Sequence, residues 1–471
     1  MSGVLKVAVV GHTNTGKTSL LRTLMRDVEF GEVSDRPAVT RAVEAALLRA
    51  GGAPALELFD TPGLEDSIGL LETLEKQRGD RRADGIELVE AFLESVEART
   101  GFAQEAKALR QVLASDIALY VVDVRDRVLG KHRDELTILG YCATPIVPVL
   151  NFTATENALT AEWREHLARV NMHAVAEFDT VVFDLRDEQR LYEKMRTLLD
   201  TRGDVLETLA RERVTQRHAL VHASSLLLGE LLVDVAAYNV SVADGDTAAR
   251  DAALVRLKQQ VREREQACVE QLLALHRFRP TDVESDALPI AGGAWGIDLF
   301  SPAAMKEFGL HAGGAAATGA MVGVTFDLLF AGLTLGTAAA AGAAIGGLVG
   351  AARTHGRRLY DRLRGRSELR CAETTLRLLA LRQIELIRAL LRRGHASVDA
   401  IRLGETTDGS SEKRPRLPGD LLKQLARAQL FPEWSSLMGT TRIDPSDEAA
   451  RQDLVDELAR SVQQVVEGPK P

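Results

Sequence analysis

The chain has 471 residues, of which 45% are hydrophobic and 27% are charged, and its formal net charge is −9 at pH 7. At about 100–200 residues for each domain, this length predicts two to four compact units. The composition excludes a largely disordered chain and a polytopic membrane protein, and the acidic balance argues against a protein that coats nucleic acid.

The first predicted elements, within residues 1–190, alternate short apolar runs with helical patterns. Runs of this kind are typical of buried parallel strands that are joined by right-handed crossovers. We predict strands at residues 6–10, 56–59, 117–122, 146–150 and 180–183. This part of the chain is therefore expected to be α/β, with a doubly wound parallel sheet.

The strongest motif is GHTNTGKT at residues 11–18, between a strand pattern and a helix pattern. It matches the phosphate-binding loop GxxxxGK[ST] in the strand–loop–helix context that this loop requires. Small residues let successive backbone N–H groups turn onto phosphate oxygens, and Lys17 adds positive charge for the outer phosphates. The Thr18 hydroxyl is placed to ligate Mg²⁺. The motif therefore predicts a nucleotide site.

A second motif, DTPG, stands at residues 60–63, where the next predicted strand ends. The Asp60 carboxylate can hold Mg²⁺ through water, and the Gly63 amide can contact a γ-phosphate. Alone, such a tetrapeptide is an ordinary turn at the end of a strand in about half of cases. Its place after a phosphate loop favours the metal and γ-phosphate roles.

Between these motifs lies PAVTR at residues 37–41. Together the three segments resemble the bacterial Era/EngA-like GTPases of the translation-factor-related class, over roughly residues 1–190. The resemblance implies that Thr40 closes on Mg²⁺ and the γ-phosphate, although Ala38 replaces the family's glycine. It also implies that Asn14 helps to bind K⁺ beside the phosphates. Plain loop roles for Thr40 and Asn14 remain the alternative.

Two positions depart from this family or limit its activity. Leu64 stands where Ras-like proteins carry a water-orienting glutamine, which implies slow hydrolysis unless Leu64 is simply a hydrophobic anchor. The guanine-reading NKxD motif is replaced by Asn151-Phe152-Thr153-Ala154, and the family's SAK signature is not recognisable. Phe152 can cover a base by stacking, and Glu156 can substitute for the missing carboxylate only if its loop bends.

The resemblance and the motifs together give a set of expected site residues. Those expected at the nucleotide are Gly11, His12, Thr13, Asn14, Thr15, Gly16, Lys17, Thr18, Ser19, Asp60, Gly63, Asn151 and Phe152. The expected catalytic residues are Lys17, Thr40 and Gly63, and the expected metal ligands are Thr18, Thr40 and Asp60. For His12, an ordinary solvated loop histidine is the alternative.

Residues 65–116 form a longer connection than the one that usually joins the switch segment to the next strand. Two amphipathic helical patterns lie within it. We expect a helical insertion that acts as a lid or a partner surface, or else a solvated decoration. Strand signals stop after Asp187, and long helical patterns follow. The remainder is therefore expected to be mostly α-helical, with regions at residues 191–310, 311–352 and 353–471.

The region at residues 311–352 is rich in Ala and Gly, and small residues recur there at four-residue intervals. Such spacing lets helices approach closely, and an arginine cluster at residues 353–366 can contact anionic headgroups. The pattern predicts a shallow membrane hairpin with two short legs, at residues 312–330 and 337–352. Asp327 would lie inside the first leg, where burying its charge costs free energy. The alternative is a soluble, buried helix pair.

We therefore expect an Mg²⁺-dependent GTP-binding switch that slowly hydrolyses GTP to GDP and phosphate and controls its helical half. The expected partners are GTP and GDP, an anionic membrane surface and a second copy of the chain, while nucleic acid is not expected. The alternatives are a nucleotide-binding scaffold without turnover and a membrane-remodelling assembly. Widely spaced cysteines and the absence of a signal-peptide pattern predict a cytoplasmic protein, peripheral or hairpin-anchored at the inner membrane.

Overall fold

The computed structural model describes residues 4–26, 43–79, 84–199, 202–278, 290–291, 294–308, 324–326, 366–393, 417–439 and 444–468. These residues form two compact units. The first unit contains the described residues up to His218 together with residues 391–393. It thus continues past residue 190, the limit expected from the sequence. The second unit contains the described residues from 219 to 390 and from 417 to 468.

The first unit is built on a six-stranded sheet with the order β2-β3-β1-β4-β5-β6. Its strands are β1 (Leu5–Val10), β2 (Glu44–Ala50), β3 (Ala53–Asp60), β4 (Ile117–Asp123), β5 (Ile146–Asn151) and β6 (Ala176–Glu177). All neighbours are parallel except β2, which pairs antiparallel with β3 at one edge. The predicted doubly wound sheet is thus confirmed, and β2 is an antiparallel strand that the sequence analysis missed.

The prediction of a strand at residues 180–183 is wrong. The last strand lies earlier, at Ala176–Glu177. The backbone N–H groups of Val181 and Val182 donate to the Asp179 carboxylate at 2.8 and 2.9 Å. The chain therefore turns at these β-branched residues, and both amides are withdrawn from the sheet.

Helices cover both faces of this sheet. They are α1 (Lys17–Met25), α2 (Ser67–Arg78), α3 (Gly85–Glu94), α4 (Ala103–Leu113), α5 (Gly130–Tyr141), α6 (Thr160–Arg169) and α7 (Leu185–Leu198). On one face the core includes Leu20, Leu191 and Met195. On the other it includes Phe92 and Leu109, which belong to α3 and α4. The predicted insertion helices therefore exist, and their apolar sides build the core of the unit instead of forming a solvated decoration.

The second half of the chain is mostly helical, as predicted. Its helices are α8 (Gly203–Ala237), α9 (Thr247–Leu275), α10 (Pro302–Glu307), α11 (Glu373–Arg392), α12 (Gly419–Ala428) and α13 (Pro445–Glu467). By length and composition, α8 alone among the described helices is apolar enough to cross a membrane, and 61% of its most apolar window is buried. A core helix of a soluble protein passes the same test.

Strands also occur after Asp187, against the expectation that strand signals end there. They are β7 (Asn239–Ala243), β8 (Ile290–Ala291), β9 (Ala294–Trp295), β10 (Val324–Phe326) and β11 (Arg366–Cys371). Antiparallel pairing gives a three-stranded sheet of order β10-β11-β7 and a separate pair, β8 with β9. Each is short, and β7 and β11 carry polar side chains, so their sequences lack an extended apolar run.

One of these strands falls within the predicted membrane hairpin. Val324–Phe326 forms β10, although residues 312–330 were expected to be a helical leg. Valine, threonine and phenylalanine favour strands, and pairing with β11 decides the conformation of these three residues. The other residues of 311–352, including the whole second leg, lie outside the described residues.

A buried carboxylate ties together several elements of the second unit. Asp234, on α8, is 2% exposed. It accepts hydrogen bonds from Arg264 Nε at 2.8 Å and from Arg451 Nη2 at 3.2 Å, while Ser436 donates its amide and its hydroxyl, each at 3.0 Å. Both arginines are also mostly buried. We call this group the Asp234 cluster.

The three cysteines are free and buried. Cys142 lies in the first unit, and Cys268 and Cys371 lie in the second. Removal from water disfavours the charged thiolate, so burial raises the pKa of each thiol to about 12.

Candidate functional site

The phosphate loop connects β1 to α1 in a backbone conformation that its small residues permit. Gly11 has φ of +145° and Gly16 has φ of +92°, while Asn14 has φ of +65°. A Cβ on Gly11 would lie 2.4 Å from the carbonyl oxygen of Val121 on β4, so only glycine fits there. The loop thus lies directly on the carboxyl ends of the central strands, and α1 begins at Lys17.

Lys17 is held inside the curve of this loop. Its Nζ donates to the carbonyl oxygens of Gly11 at 3.2 Å and His12 at 2.7 Å. Burial lowers the pKa of Lys17, an effect that the charges of Asp60, Glu135 and Glu65 oppose. The ammonium group is therefore held at the backbone carbonyl oxygens of the loop, and its predicted contact with phosphate stays a prediction.

Two of the predicted metal ligands, Thr18 and Asp60, lie together at the start of α1. Thr18 Oγ1 donates to Asp60 Oδ2 at 2.5 Å, and Asp60 is only 1% exposed. Burial raises the pKa of Asp60, against the hydrogen bond from Thr18 and the charge of Lys17. Among the described residues, nothing donates a hydrogen bond to the buried Asp60 Oδ1. A buried carboxylate oxygen without a partner, beside a hydroxyl, fits a hard cation such as Mg²⁺.

Protein side chains alone supply few ligands for such a cation. Within the described residues there is no group of three or more His, Cys, Asp or Glu side chains that could hold a metal. Mg²⁺ usually keeps several waters and binds through one or two carboxylates together with substrate phosphates. Thr18 and Asp60 therefore fit a metal that arrives with a nucleotide. Thr40, the third predicted ligand, lies outside the described residues.

The DTPG loop packs directly on the phosphate loop. Thr61 Oγ1 donates to the carbonyl oxygen of Val9 at 2.8 Å, and the Leu64 amide donates to that of Gly11 at 3.2 Å. A Cβ on Gly63 would lie 2.4 Å from Thr13 Oγ1 and 2.8 Å from the Thr13 nitrogen. Gly63 is therefore required by the close approach of the two loops.

Leu64 is fully buried in the core of the first unit. This supports the hydrophobic-anchor alternative for the position where Ras-like proteins carry glutamine. Two residues further along, Asp66 caps α2 by accepting a hydrogen bond from the Gly69 amide at 2.9 Å. The chain thus passes from the DTPG loop into the capped helix α2 with an apolar side chain at residue 64.

Asn151 connects the phosphate loop to two other segments of the chain. Its Nδ2 donates to the Thr15 carbonyl oxygen at 3.0 Å, and its Oδ1 accepts from the amides of Phe152 at 2.9 Å and Thr180 at 3.0 Å. The side chain is fully buried. Asn151 therefore fixes the phosphate loop relative to the ends of β5 and β6, and its predicted contact with nucleotide remains a prediction.

The neighbouring loops contain residues that the sequence analysis missed. Asp179 is 5% exposed and accepts the Ala154 amide at 2.9 Å as well as those of Val181 and Val182. A carboxylate that binds amides two and three residues ahead is typical of an Asx turn, which is the signal that could have located it. Glu156 is exposed and therefore gives no support to its predicted role as a substitute carboxylate.

Phe152 has a cationic neighbour. The Arg125 guanidinium carbon lies 3.9 Å from the centre of the Phe152 ring, which is cation–π geometry. Arg125 Nε and Nη2 also donate to Asp123 at 2.9 and 2.6 Å. The aromatic ring that was predicted to cover a base is thus already stacked on an arginine held by β4.

Comparison with known proteins covers both parts of the chain. Residues 6–152 match the family described as a 50S ribosome-binding GTPase. Residues 164–460 match the domain of unknown function DUF3482. The first match confirms the prediction of an N-terminal P-loop GTPase domain.

Curated relatives resemble only the N-terminal part. The tRNA modification GTPase MnmE of Synechococcus elongatus is 30% identical over 134 residues, which are 28% of this chain and 28% of that protein. MnmE of Desulfitobacterium hafniense is 34% identical over 139 residues, 30% of this chain and 29% of that protein. The chain thus spans less than a third of the length of these relatives.

Similar solved structures include Era in complex with MgGDPNP and nucleotides 1506–1542 of 16S ribosomal RNA. It is 14% identical, with a TM-score of 0.28, over 38% of this chain and 52% of that one. The G domain of the T. maritima FeoB iron transporter is 16% identical, with a TM-score of 0.24, over 41% of this chain and 99% of that one. Because the match over residues 164–460 includes more than half of the 471 residues, the chain belongs to the DUF3482 family, and it carries an N-terminal P-loop GTPase domain.

Proposed function

We propose that this protein is an Mg²⁺-dependent GTP-binding switch that slowly hydrolyses GTP to GDP and phosphate. The observation that carries the proposal is the contact between Thr18 and the buried Asp60 next to the phosphate loop. A phosphate loop alone is compatible with many phosphate ligands. A hydroxyl and an incompletely bonded carboxylate beside it favour a nucleotide that brings a divalent cation.

Each part of the site has a role in this proposal. Backbone amides of the loop and Lys17 bind the phosphates, and Thr18, Asp60 and Thr40 hold Mg²⁺. The cation neutralises charge on the phosphate oxygens when it is bound. Asn14 is the proposed contact to K⁺, and the Gly63 amide contacts the γ-phosphate. Slow turnover follows because Leu64 is buried and offers no group that orients water.

Preference for guanine is supported by the GTPase match over residues 6–152. The residue at the position of the family's base-reading aspartate is Ala154, and its amide is bound to Asp179. Both oxygens of Asp179 already accept backbone amides, so this carboxylate is not free to accept two N–H groups of a base. Guanine would then be read by contacts of another kind, among which stacking on the Phe152–Arg125 pair is the one that we propose.

The test is equilibrium binding of fluorescent GTP to the full chain, with unlabelled GTP, GDP and ATP as competitors and Lys17→Ala as the control. We expect binding that depends on Mg²⁺ and no measurable binding by Lys17→Ala. GTP and GDP should compete at least about tenfold better than ATP, which is a difference of about 1.4 kcal/mol in binding free energy. Equal competition by ATP would refute guanine preference. Phosphate release no faster than that of Lys17→Ala would leave a nucleotide-binding scaffold in place of a GTPase.

We also propose that the nucleotide state controls association of the helical half with an anionic membrane surface, or with a second copy of the chain. The sequence supports the membrane surface through six arginines in residues 353–366, which follow the Ala/Gly-rich region. Flotation of the full chain with anionic and neutral vesicles, with GDP or a slowly hydrolysed GTP analogue, tests this. Equal flotation with both vesicle types and both nucleotides would contradict it.

A further inference from the structure

His12, the second residue of the phosphate loop, makes hydrogen bonds that the loop itself does not require. Its Nδ1 lies 2.9 Å from the Leu64 carbonyl oxygen and 3.0 Å from Glu135 Oε1. Both neighbours are acceptors, so Nδ1 carries the hydrogen and donates it between them. The side chain thereby connects the phosphate loop to the DTPG loop and to α5.

Glu135 is itself fixed by a third residue. It is fully buried, and its second oxygen, Oε2, accepts the hydroxyl hydrogen of Tyr120 at 2.7 Å. Burial, followed by the charge of Glu135, raises the pKa of Tyr120 well above its usual value, so the hydroxyl keeps its proton and remains a donor. Each oxygen of the carboxylate therefore has a donor, one from β4 and one from the phosphate loop.

Leu64 is consequently held through both of its backbone polar groups. Its amide donates to the Gly11 carbonyl oxygen at 3.2 Å, and its carbonyl oxygen accepts from His12. The residue immediately before it is Gly63, which packs on Thr13 with no room for a Cβ. Any movement of Gly63 away from the phosphate loop must break one or both hydrogen bonds of Leu64.

We propose that His12, supported by Glu135 and Tyr120, is a positioning residue that clamps the DTPG loop against the phosphate loop. The part of this inference that concerns GTP rests on the proposed function, in which the Gly63 amide contacts the γ-phosphate. The clamp would hold Gly63 in the position for that contact. It favours the GTP-bound arrangement over the GDP-bound one and accelerates hydrolysis. We call the three residues the His12 clamp.

The surroundings of His12 allow this to be tested by substitution. The side chain lines a cavity of about 240 Å³ beside the phosphate loop, together with Tyr120, His132, Trp163 and other residues. A smaller side chain at residue 12 therefore removes hydrogen bonds without opening a closed apolar core. His12→Asn places an amide N–H near the former Nδ1 and is the conservative variant. His12→Ala removes the donor.

The first readout needs no nucleotide. Hydrogen–deuterium exchange of the full chain, followed in peptides that contain the Leu64 amide, reports whether the DTPG loop is held. We expect His12→Ala and Glu135→Gln to speed this exchange at least about tenfold, and Tyr120→Phe and His12→Asn to change it less. Unchanged exchange in both His12→Ala and Glu135→Gln would overturn the clamp, and the second variant decides if the first does not fold.

The second readout separates positioning from a purely structural role. In His12→Ala we expect kcat for GTP hydrolysis and the affinity ratio of GTP to GDP each to fall about tenfold, the factor typical of a lost hydrogen bond to a charged group. His12→Asn should restore most of both. Faster exchange with unchanged kcat and unchanged ratio would overturn the positioning role. If the unmodified chain hydrolyses no GTP, the proposed function fails, and the exchange result still decides the clamp.

Discussion

Replacement of Asp234 by alanine is expected to destabilise the second unit by about 3–5 kcal/mol, the usual cost of removing one partner from a buried ion pair. Asp234 is 2% exposed and pairs with Arg264 and Arg451. Without the carboxylate, both guanidinium groups and the Ser436 donors lose their common acceptor. Urea-induced unfolding followed by circular dichroism measures the effect as a lower midpoint of the transition that belongs to this unit.

A matched control for this substitution is Asp251→Ala. Asp251 is an exposed residue on α9, so its replacement should change stability by less than about 0.5 kcal/mol. Asp234→Asn keeps an acceptor for Ser436 but loses the charge, and it should fall between the two. A midpoint for Asp234→Ala equal to that of Asp251→Ala would show that the Asp234 cluster contributes little to stability.

Replacement of Gly16 by alanine should weaken nucleotide binding at least about 100-fold, or 2.7 kcal/mol. The φ of Gly16 is +92°, and the new Cβ would lie 2.2 Å from Asn151 Nδ2. Asn151 must then move, and its hydrogen bond to the Thr15 carbonyl oxygen breaks. The phosphate loop then loses its connection to β5 beside the amides that we propose bind phosphate. Titration with fluorescent GTP measures the loss.

Backbone strain and collision can be separated with Gly51→Ala. Gly51 also has a positive φ, of +60°, but nothing lies within 4 Å of the position that its Cβ would take. That variant should therefore carry strain of about 1 kcal/mol and bind nucleotide normally. Equal binding by Gly16→Ala and the unmodified chain would show that the contact between the phosphate loop and Asn151 is dispensable.

The parts of the site that are continuous in sequence were predictable. The loop from Gly11 to Thr18 and the DTPG segment each combine a fixed spacing with a preceding strand, and the structure brings Thr18 to Asp60 as that pattern implies. Asp179 and Arg125 were not predictable in the same way. Their roles depend on contacts with Ala154 and Phe152 across separate segments, and no short motif records such a contact.

The same reasoning explains the errors in secondary structure. Residues 180–183 are Thr, Val, Val and Phe, which favour strands, but the Asp179 carboxylate accepts the amides of Val181 and Val182 that a strand would need. β7 and β11 pair with each other although they are far apart in the chain. Strand formation there depends on a distant partner more than on local propensity, and a single sequence does not show that partner.

The three buried thiols give the chain a set of internal reporters of local opening. A thiol must be exposed and ionised to react with an alkylating reagent, so Cys142, Cys268 and Cys371 should be inert in the native state. Cys142 reacts only when the first unit opens, and the other two react only when the second unit opens. Pulsed alkylation with mass spectrometry would thus give an opening free energy for each unit in the unmodified protein. A thiol introduced on the surface would be the single reactive one, ready to carry a dye.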